Sequence, residues 1–364
     1  MTANTVHTPQ NTHQVQNLGL FRLFLAALVV VQHYQKLLFG EPSGLWIEAL
    51  EIGSIAVLVF FVLSGYVIIG AIDRFYSDRP LAFLMNRVNR IVPLYLAVLA
   101  ISAAVLLPLY AEGRLVDAGG VAAVEPYSIR NLVANLLSIL PFAQQLLRPS
   151  YDFVSIAWAV QTEMTFYAIA FLALVGARLM RQSFAAVAWL AGAGFLALAA
   201  FRLGTGAGPQ SLVLAPHFVL GGAFYYWRKS PSLVALGLAI GAALLMGWEL
   251  LARPDMHEVL LFTRPHLVQL GVLAGLVLVM MLSTYRNPVP KPVDRVAGDY
   301  SYPLYLCHVL PATCAESLGA MAQPGLLWLG AALAGAISFS AIMLRLVDQP
   351  MIRLRDRVRR VSLA

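Results

Sequence analysis

The sequence predicts an all-α fold, a polytopic membrane helical bundle of about ten transmembrane helices with the N- and C-termini cytoplasmic. Three observations predict it. Of 364 residues, 60% are hydrophobic and 12% charged, and mean hydropathy is +0.75, a composition that would leave a soluble domain of this size with an apolar surface. Apolar runs of about 20 residues recur along the chain, each long enough to cross a hydrocarbon core roughly 30 Å thick. Of the 25 lysines and arginines, which exceed the 18 acidic residues to give a net charge of +7, most gather in alternate short loops and in the tail, as cytoplasmic segments do. The basic excess therefore reads as topology, and nucleic acid is not an expected partner.

Taken in order, residues 1–17 are polar, lack Lys and Arg, and form a cytoplasmic N-terminal segment. The apolar run that follows holds Arg22, Gln32, His33 and Lys36 without a small-residue cleavage site, which argues against a removable signal peptide. Spans are predicted at 18–38, 50–72, 91–110, 154–176, 184–202, 210–227, 232–251, 266–284, 300–318 and 325–346, from unbroken apolar stretches. One further segment, NLVANLLSILPF at 131–142, is short, holds two Asn and runs into Pro141. A re-entrant or interfacial segment suits it better than a span.

Charge supports that choice. With 131–147 not crossing, the cytoplasmic side collects Arg22, the 73–90 loop, Arg178, Arg181, Arg228, Lys229, Arg286, Lys291, Arg295 and the arginines of the tail. With it crossing, every later basic loop would change sides, against the positive-inside tendency. Residues 18–350 thus read as one transmembrane domain and 351–364 as a basic cytoplasmic tail. The loops near 111–130 and 285–299 are too short to hold a core of their own. Gly237 with Gly241 and Gly271 with Gly275, spaced by four, predict close helix approach. Cys307 and Cys314 stand two turns apart on one predicted helix, about 10 Å, too far to bridge, and no metal motif follows from them.

Several ionisable groups fall inside these apolar runs, where they are costly and usually face the protein interior or a wet cavity. Arg22 and His33 share the first helix. Eleven steps of about 100° return to nearly the same face, roughly 16 Å along the axis. Arg22 then either snorkels at the inner interface or binds a ligand, and His33 either packs or works. Glu163 lies deep in its span, where its carboxylate needs a histidine ring, an arginine or an acceptor molecule as partner. Arg87 and Arg90, one turn apart at the inner end of the third helix, reach one anionic ligand or anchor the helix. His308 is read as mid-helix, with Cys307 about 100° away around the axis, so a Cys–His nucleophile pair is not expected. Ser64 before Gly65 reads as a packing or bending position, since no strand-turn-helix elbow surrounds it.

Five patches in order resemble the acyltransferase 3 family of bacterial integral-membrane acyltransferases over residues 17 to 350. They are Arg22 with His33; Phe60, Phe61, Leu63, Ser64 and Gly65; Arg87, Arg90, Ile91, Pro93 and Tyr95; Trp158, Glu163, Phe166 and Tyr167; and Ser301, Tyr302, Tyr305, Leu306 and His308. The chain departs from the family pattern at Ala159 and Val160, where Ser-Leu is usual, and at Asp348, Gln349 and Pro350. The departures bear on acceptor geometry and leave the charged positions intact.

The resemblance implies a membrane O-acyltransferase of the bacterial inner membrane. It moves an acyl group, usually acetyl from acetyl-CoA, to a hydroxyl of a cell-surface glycan such as exopolysaccharide or O-antigen, a lipid-linked sugar or a small glycoside. Acyl-CoA is then a donor substrate, with no permanently bound cofactor and no metal. Such transfer needs a base for the hydroxyl proton, a grip on the donor phosphates and help for the oxyanion. Imidazole titrates near neutrality, which makes His33 the candidate base. The fixed donor fork of guanidinium makes Arg22, Arg87 and Arg90 the candidate CoA-binding residues. Glu163 and His308 complete the catalytic set with Arg22 and His33. Other readings are a macrolide or lipid acceptor, a proton-coupled transporter or flippase of glycan precursors, which would move substrate without covalent change, and a structural partner of a glycan-synthesis complex.

Overall fold

The computed structural model describes residues 18–40, 50–114, 116, 117, 120, 121, 128–141, 143, 147, 149–252, 265–286, 288–320 and 323–360. The polar segment 1–17 and most of 142–148 lie outside them. A helix covers each of the ten predicted spans. They are α1 (Gly19–Phe39), α2 (Ile52–Ala71, prolonged by a π turn, Ile72–Tyr76), α3 (Pro80–Ala111), α5 (Ala157–Leu179), α6 (Phe184–Thr205), α7 (Ala215–Lys229), α8 (Leu233–Leu251), α9 (Pro265–Tyr285), α10 (Lys291–Cys307) continued by α11 (Val309–Ala315), and α12 (Leu326–Met343). A π turn, Leu344–Asp348, leads from α12 into α13 (Gln349–Arg360). Between α3 and α5 lie a two-residue antiparallel ladder, β1 (Val116–Asp117) with β2 (Gly120–Val121), and the short α4 (Ile129–Leu137).

Among the described residues seven helices are long and apolar enough to cross a membrane, which makes this a membrane protein. The rods outside that seven are informative. Helix α7 has only 15 residues and α10 only 17, while α1 is diluted by Arg22, Gln32, His33, Gln35 and Lys36.

Two helix pairs organise the core. Asp294, in the first turn of α10 and 2% exposed, accepts from Gly19 N at 3.1 Å and Leu20 N at 3.0 Å. It thereby caps α1, whose own N-cap residue Leu18 offers no side-chain bond, and sets a carboxylate against the positive end of the helix. A Cβ on Gly19 would overlap the Asp294 carbonyl and the Gly298 nitrogen, so the backbones touch there. At the other end of the pair, Tyr34 OH donates to the His308 carbonyl at 2.7 Å. Helices α1 and α10 therefore run parallel. So do α2 and α7, with Phe61 stacked on Phe218 (5.1 Å), Tyr66 against Phe224 (5.7 Å), and Asp73 accepting from Lys229 Nζ at 2.7 Å and Tyr225 OH at 2.8 Å. Asp294→Ala is expected to lower stability by about 1–2 kcal/mol through loss of this cap, read as a lower melting temperature in detergent.

Helix α4 is pinned rather than threaded. Its nine residues reach about 14 Å at 1.5 Å each, less than half a hydrocarbon core. Asn131 Oδ1 accepts from Ser150 N (2.9 Å) and Tyr151 N (3.0 Å). Asn135 donates to the Tyr151 carbonyl (2.8 Å) and accepts from Phe153 N (3.0 Å). Ile129 and Leu136 face outward, 80% and 50% exposed. The two asparagines that make the segment a poor span are the ones that dock it.

Some expectations need correction. Helix α3 starts at Pro80 rather than near 91, because a proline in the first turn loses no helical hydrogen bond and presets φ; Arg87 and Arg90 therefore lie inside the helix rather than at its end. His308 is not mid-helix. The helix breaks there, since Pro311 has no N–H to give the Cys307 carbonyl, and the next bond, Ala312 N to His308 O, is stretched to 3.5 Å. The segment at 210–227 opens with a 3-10 turn, Gln210–Leu214, before α7. Gly237, Gly271 and Gly275 are exposed, and among the described residues a Cβ on any of them would meet nothing within 4 Å, whereas one on Gly241 would press on Leu196 at 3.3 Å; the closest backbone approaches are at Gly19, Gly65 and Gly221.

Candidate active site

Five helices bring polar side chains to one cavity. Arg22 comes from α1, Ser64 from α2, Arg90 from α3, Glu163 and Tyr167 from α5, and Ser301, Tyr302 and Tyr305 from α10. Each is carried there by helical spacing: Glu163 and Tyr167 are four apart, as are Ser301 and Tyr305, so each pair shares a face. Phe60, Phe61 and Val57 of α2 supply apolar wall, and so do Ala159 and Val160. The last two are among the positions at which the chain departs from the pattern it resembles.

Glu163 is the hub. Its Oε1 accepts from Ser64 Oγ at 2.9 Å and from Tyr167 OH. Arg90 lines the cavity with this carboxylate and lies within electrostatic reach of it and of Asp348, which is buried at the π turn after α12. Tyr302 OH donates to the Ile91 carbonyl at 3.2 Å and ties α10 to α3 beside Arg90. The reading of Ser64 as a packing residue thus gives way to a hydrogen-bonding one, while its neighbour Gly65 does the packing against the Phe218 carbonyl. Sequence spacing cannot pair residues 99 positions apart, so nothing in the chain pointed to the Ser64 bond.

The two arginines of α3 part company. Arg90 enters the cavity, whereas Arg87, 4% exposed, lies behind it with its guanidinium 5.4 Å from the Phe83 ring centre and 5.3 Å from that of Tyr167. A cation held against two ring faces is well stabilised, but it is not placed to share an anion with Arg90. Arg22 and Arg90, from different helices, are the two arginines that line the cavity.

His33 and His308 do not line this cavity. They face each other beyond it, with ring centres 5.0 Å apart at 65°. His308 is fully buried and its Nδ1 lies 2.7 Å from the Tyr305 carbonyl, while His33 is half-buried. Tyr305 bridges the two regions: its ring lines the cavity and sits 6.2 Å from that of His308. Its hydroxyl is buried without a hydrogen-bond partner among the described residues. Ser301, Tyr305 and His308 form one face of α10 as Arg22 and His33 form one face of α1, so the parallel pair presents a polar seam through an apolar bundle. Tyr167 and Tyr305 stand in the motifs, yet only their neighbours in space reveal what they do.

A carboxylate held by hydroxyl donors, two guanidiniums and a histidine pair can bind an anion and move a proton out of contact with bulk water. The sequence model of the acyltransferase 3 family, described as an acyltransferase domain, matches residues 15–345. Among curated proteins, the chain is 25% identical to Nodulation protein 10 of Rhizobium leguminosarum bv. viciae, over 98% of this chain and 100% of that one. It is 29% identical to Exopolysaccharide production protein ExoZ of Rhizobium meliloti (strain 1021), over 85% and 93%. No solved structure matches significantly.

Proposed function

Because the chain belongs to the acyltransferase 3 family, we propose that it transfers an acyl group, acetyl in the simplest case, from coenzyme A to a hydroxyl of an exported polysaccharide at the bacterial inner membrane. The observation that carries this reading is the cavity that Arg22, Arg90 and Glu163 line together at one end of the α1–α10 seam, with the His33–His308 pair farther along it. The exopolysaccharide production named for one relative supports the choice of acceptor class. The parallel packing of α1 with α10 and of α2 with α7 supports ten crossings with both ends inside: an extra crossing at α4 would make each pair antiparallel.

In this scheme Arg22 and Arg90 draw in the anionic donor from the cytoplasmic side, and Glu163, fixed by Ser64 and Tyr167, holds Arg90 toward it. The pantetheine arm follows the seam over the roughly 16 Å from Arg22 to His33. The acceptor arrives from the other face. Its hydroxyl oxygen attacks the thioester carbonyl carbon as His33 takes the proton, and the oxyanion forms where buried donors stabilise it. The C–S bond then breaks, and His33 returns the proton to the departing thiolate. An ester and free coenzyme A result.

Purified protein in nanodiscs, given radiolabelled acetyl-CoA and a host glycan fraction, should move label to glycan. Folded protein that neither binds nor consumes the donor would defeat the reading. Arg90→Ala is expected to raise the apparent KM for acetyl-CoA by about 10- to 100-fold, the worth of one or two charged hydrogen bonds. Arg87→Met should leave KM nearly unchanged and instead lower the melting temperature by removing the cation between Phe83 and Tyr167. Initial rates and thermal melts on the two variants separate these roles.

A further inference from the structure

We infer that His308 is a positioning residue whose Nε2 accepts the N–H of His33, so that the other nitrogen of His33 is left with its lone pair toward the acceptor hydroxyl. The inference rests on the acyl-transfer reading for its consequence and on His308 itself for its geometry.

The tautomer of His308 is set by its surroundings. Nδ1 lies 2.7 Å from the Tyr305 carbonyl and 3.2 Å from that of Leu304. Carbonyl oxygens only accept, so Nδ1 carries the hydrogen and a neutral ring has its lone pair at Nε2. That atom is buried with no hydrogen-bond partner among the described residues, and a buried acceptor is rarely left unmade. The kink at Pro311 and the bond from Tyr34 OH to the His308 carbonyl hold the ring in place.

His33 is the neighbour suited to supply the donor. Its ring stands edge-on at 5.0 Å between centres, a separation that brings facing edge atoms within hydrogen-bond reach after a small rotation. Tyr34 commits its hydroxyl to the backbone, and Tyr305 turns toward the cavity that holds Glu163. The ammonium of Lys36 is engaged by Glu316 at 2.9 Å. His308 has no exposed surface, so it reaches substrate only through His33.

Orientation by an imidazole differs from orientation by a carboxylate. A carboxylate in so dry a place would hold its histidine as the cation and spoil it as a base. A neutral ring orients His33 without that penalty. Once His33 has taken the acceptor proton, the N–H to Nε2 contact becomes a charge-assisted hydrogen bond, stronger at that point of the reaction than before it.

The test combines ¹⁵N-histidine NMR with kinetics of His308→Leu and His308→Gln in nanodiscs. The glutamine amide oxygen can take the place of Nε2, whereas leucine has no acceptor. Expected are a protonated Nδ1 and bare Nε2 for His308, and His33 signals that move toward a tautomer mixture in His308→Leu. The kcat of that variant should fall about 10- to 100-fold, as when the outer partner of a working histidine is lost, with KM for acetyl-CoA unchanged and partial recovery in His308→Gln. A protonated Nε2, unmoved His33 signals, or equal rates in folded Leu and Gln variants would overturn the inference. If the wild type transfers nothing from acetyl-CoA, the reaction reading fails, and the NMR arm still decides whether His308 holds His33.

Discussion

Replacing His33 by alanine is expected to cut acyl transfer by a factor of about 10²–10⁴, the usual contribution of a positioned general base. The protein should remain folded. His33 is half-buried and belongs to the polar seam rather than to the apolar cluster, so truncation leaves no large unfilled void. Donor binding should survive as well, because Arg22 and Arg90 lie at the far end of the seam, and the loss should therefore appear in kcat with little change in KM. Transfer of labelled acetyl groups to host glycan, measured on protein whose elution and melting match the wild type, checks this. Near-normal transfer by such a variant would remove His33 from the chemistry and shift attention to the Glu163 cluster.

A comparably large effect is expected from Gly65→Val, by a different route. A Cβ at residue 65 would overlap the Phe218 carbonyl, and one at residue 221 would overlap the Val62 carbonyl and crowd the Tyr66 nitrogen. The atoms struck are backbone and cannot turn aside, so α2 and α7 must separate. Overpacking a core costs about 1–3 kcal/mol and more where nothing can yield; the expected result is a large fall in melting temperature or no folded protein at all. Because Ser64 precedes Gly65, any surviving protein should also lose the bond to Glu163 and with it activity. Gly271→Ala is the matched control. That glycine has open space around it, and alanine there should be neutral or add about 0.5–1 kcal/mol through helix propensity. Equal melting of the two variants would show that the α2–α7 contact does not hold the bundle together.

The sequence located this fold well because a bilayer demands long apolar runs and sorts basic loops to one side. Those are one-dimensional signals, and helices lie where they predicted. The misreadings share a cause. Glycines four apart on α9 mark close packing only when a neighbour is present, and none lies within 4 Å among the described residues. Arg87 and Arg90 share a helix face but have different neighbours, which sent one into the cavity and the other between two rings. His308 looked mid-helix because apolar composition continues through Pro311, although the backbone bonding does not.

By itself, then, the sequence determined the class, the approximate helices and the ionisable residues worth suspecting, since each follows from local composition or spacing. The tertiary structure decided which of those residues meet. Asp294 caps a helix 275 residues away, Ser64 binds Glu163 across 99 positions, and His33 faces His308. Such contacts depend on how the helices cross, and crossing is settled by backbone approach at Gly19, Gly65 and Gly221 together with the polar groups that must find partners in a medium that offers no water.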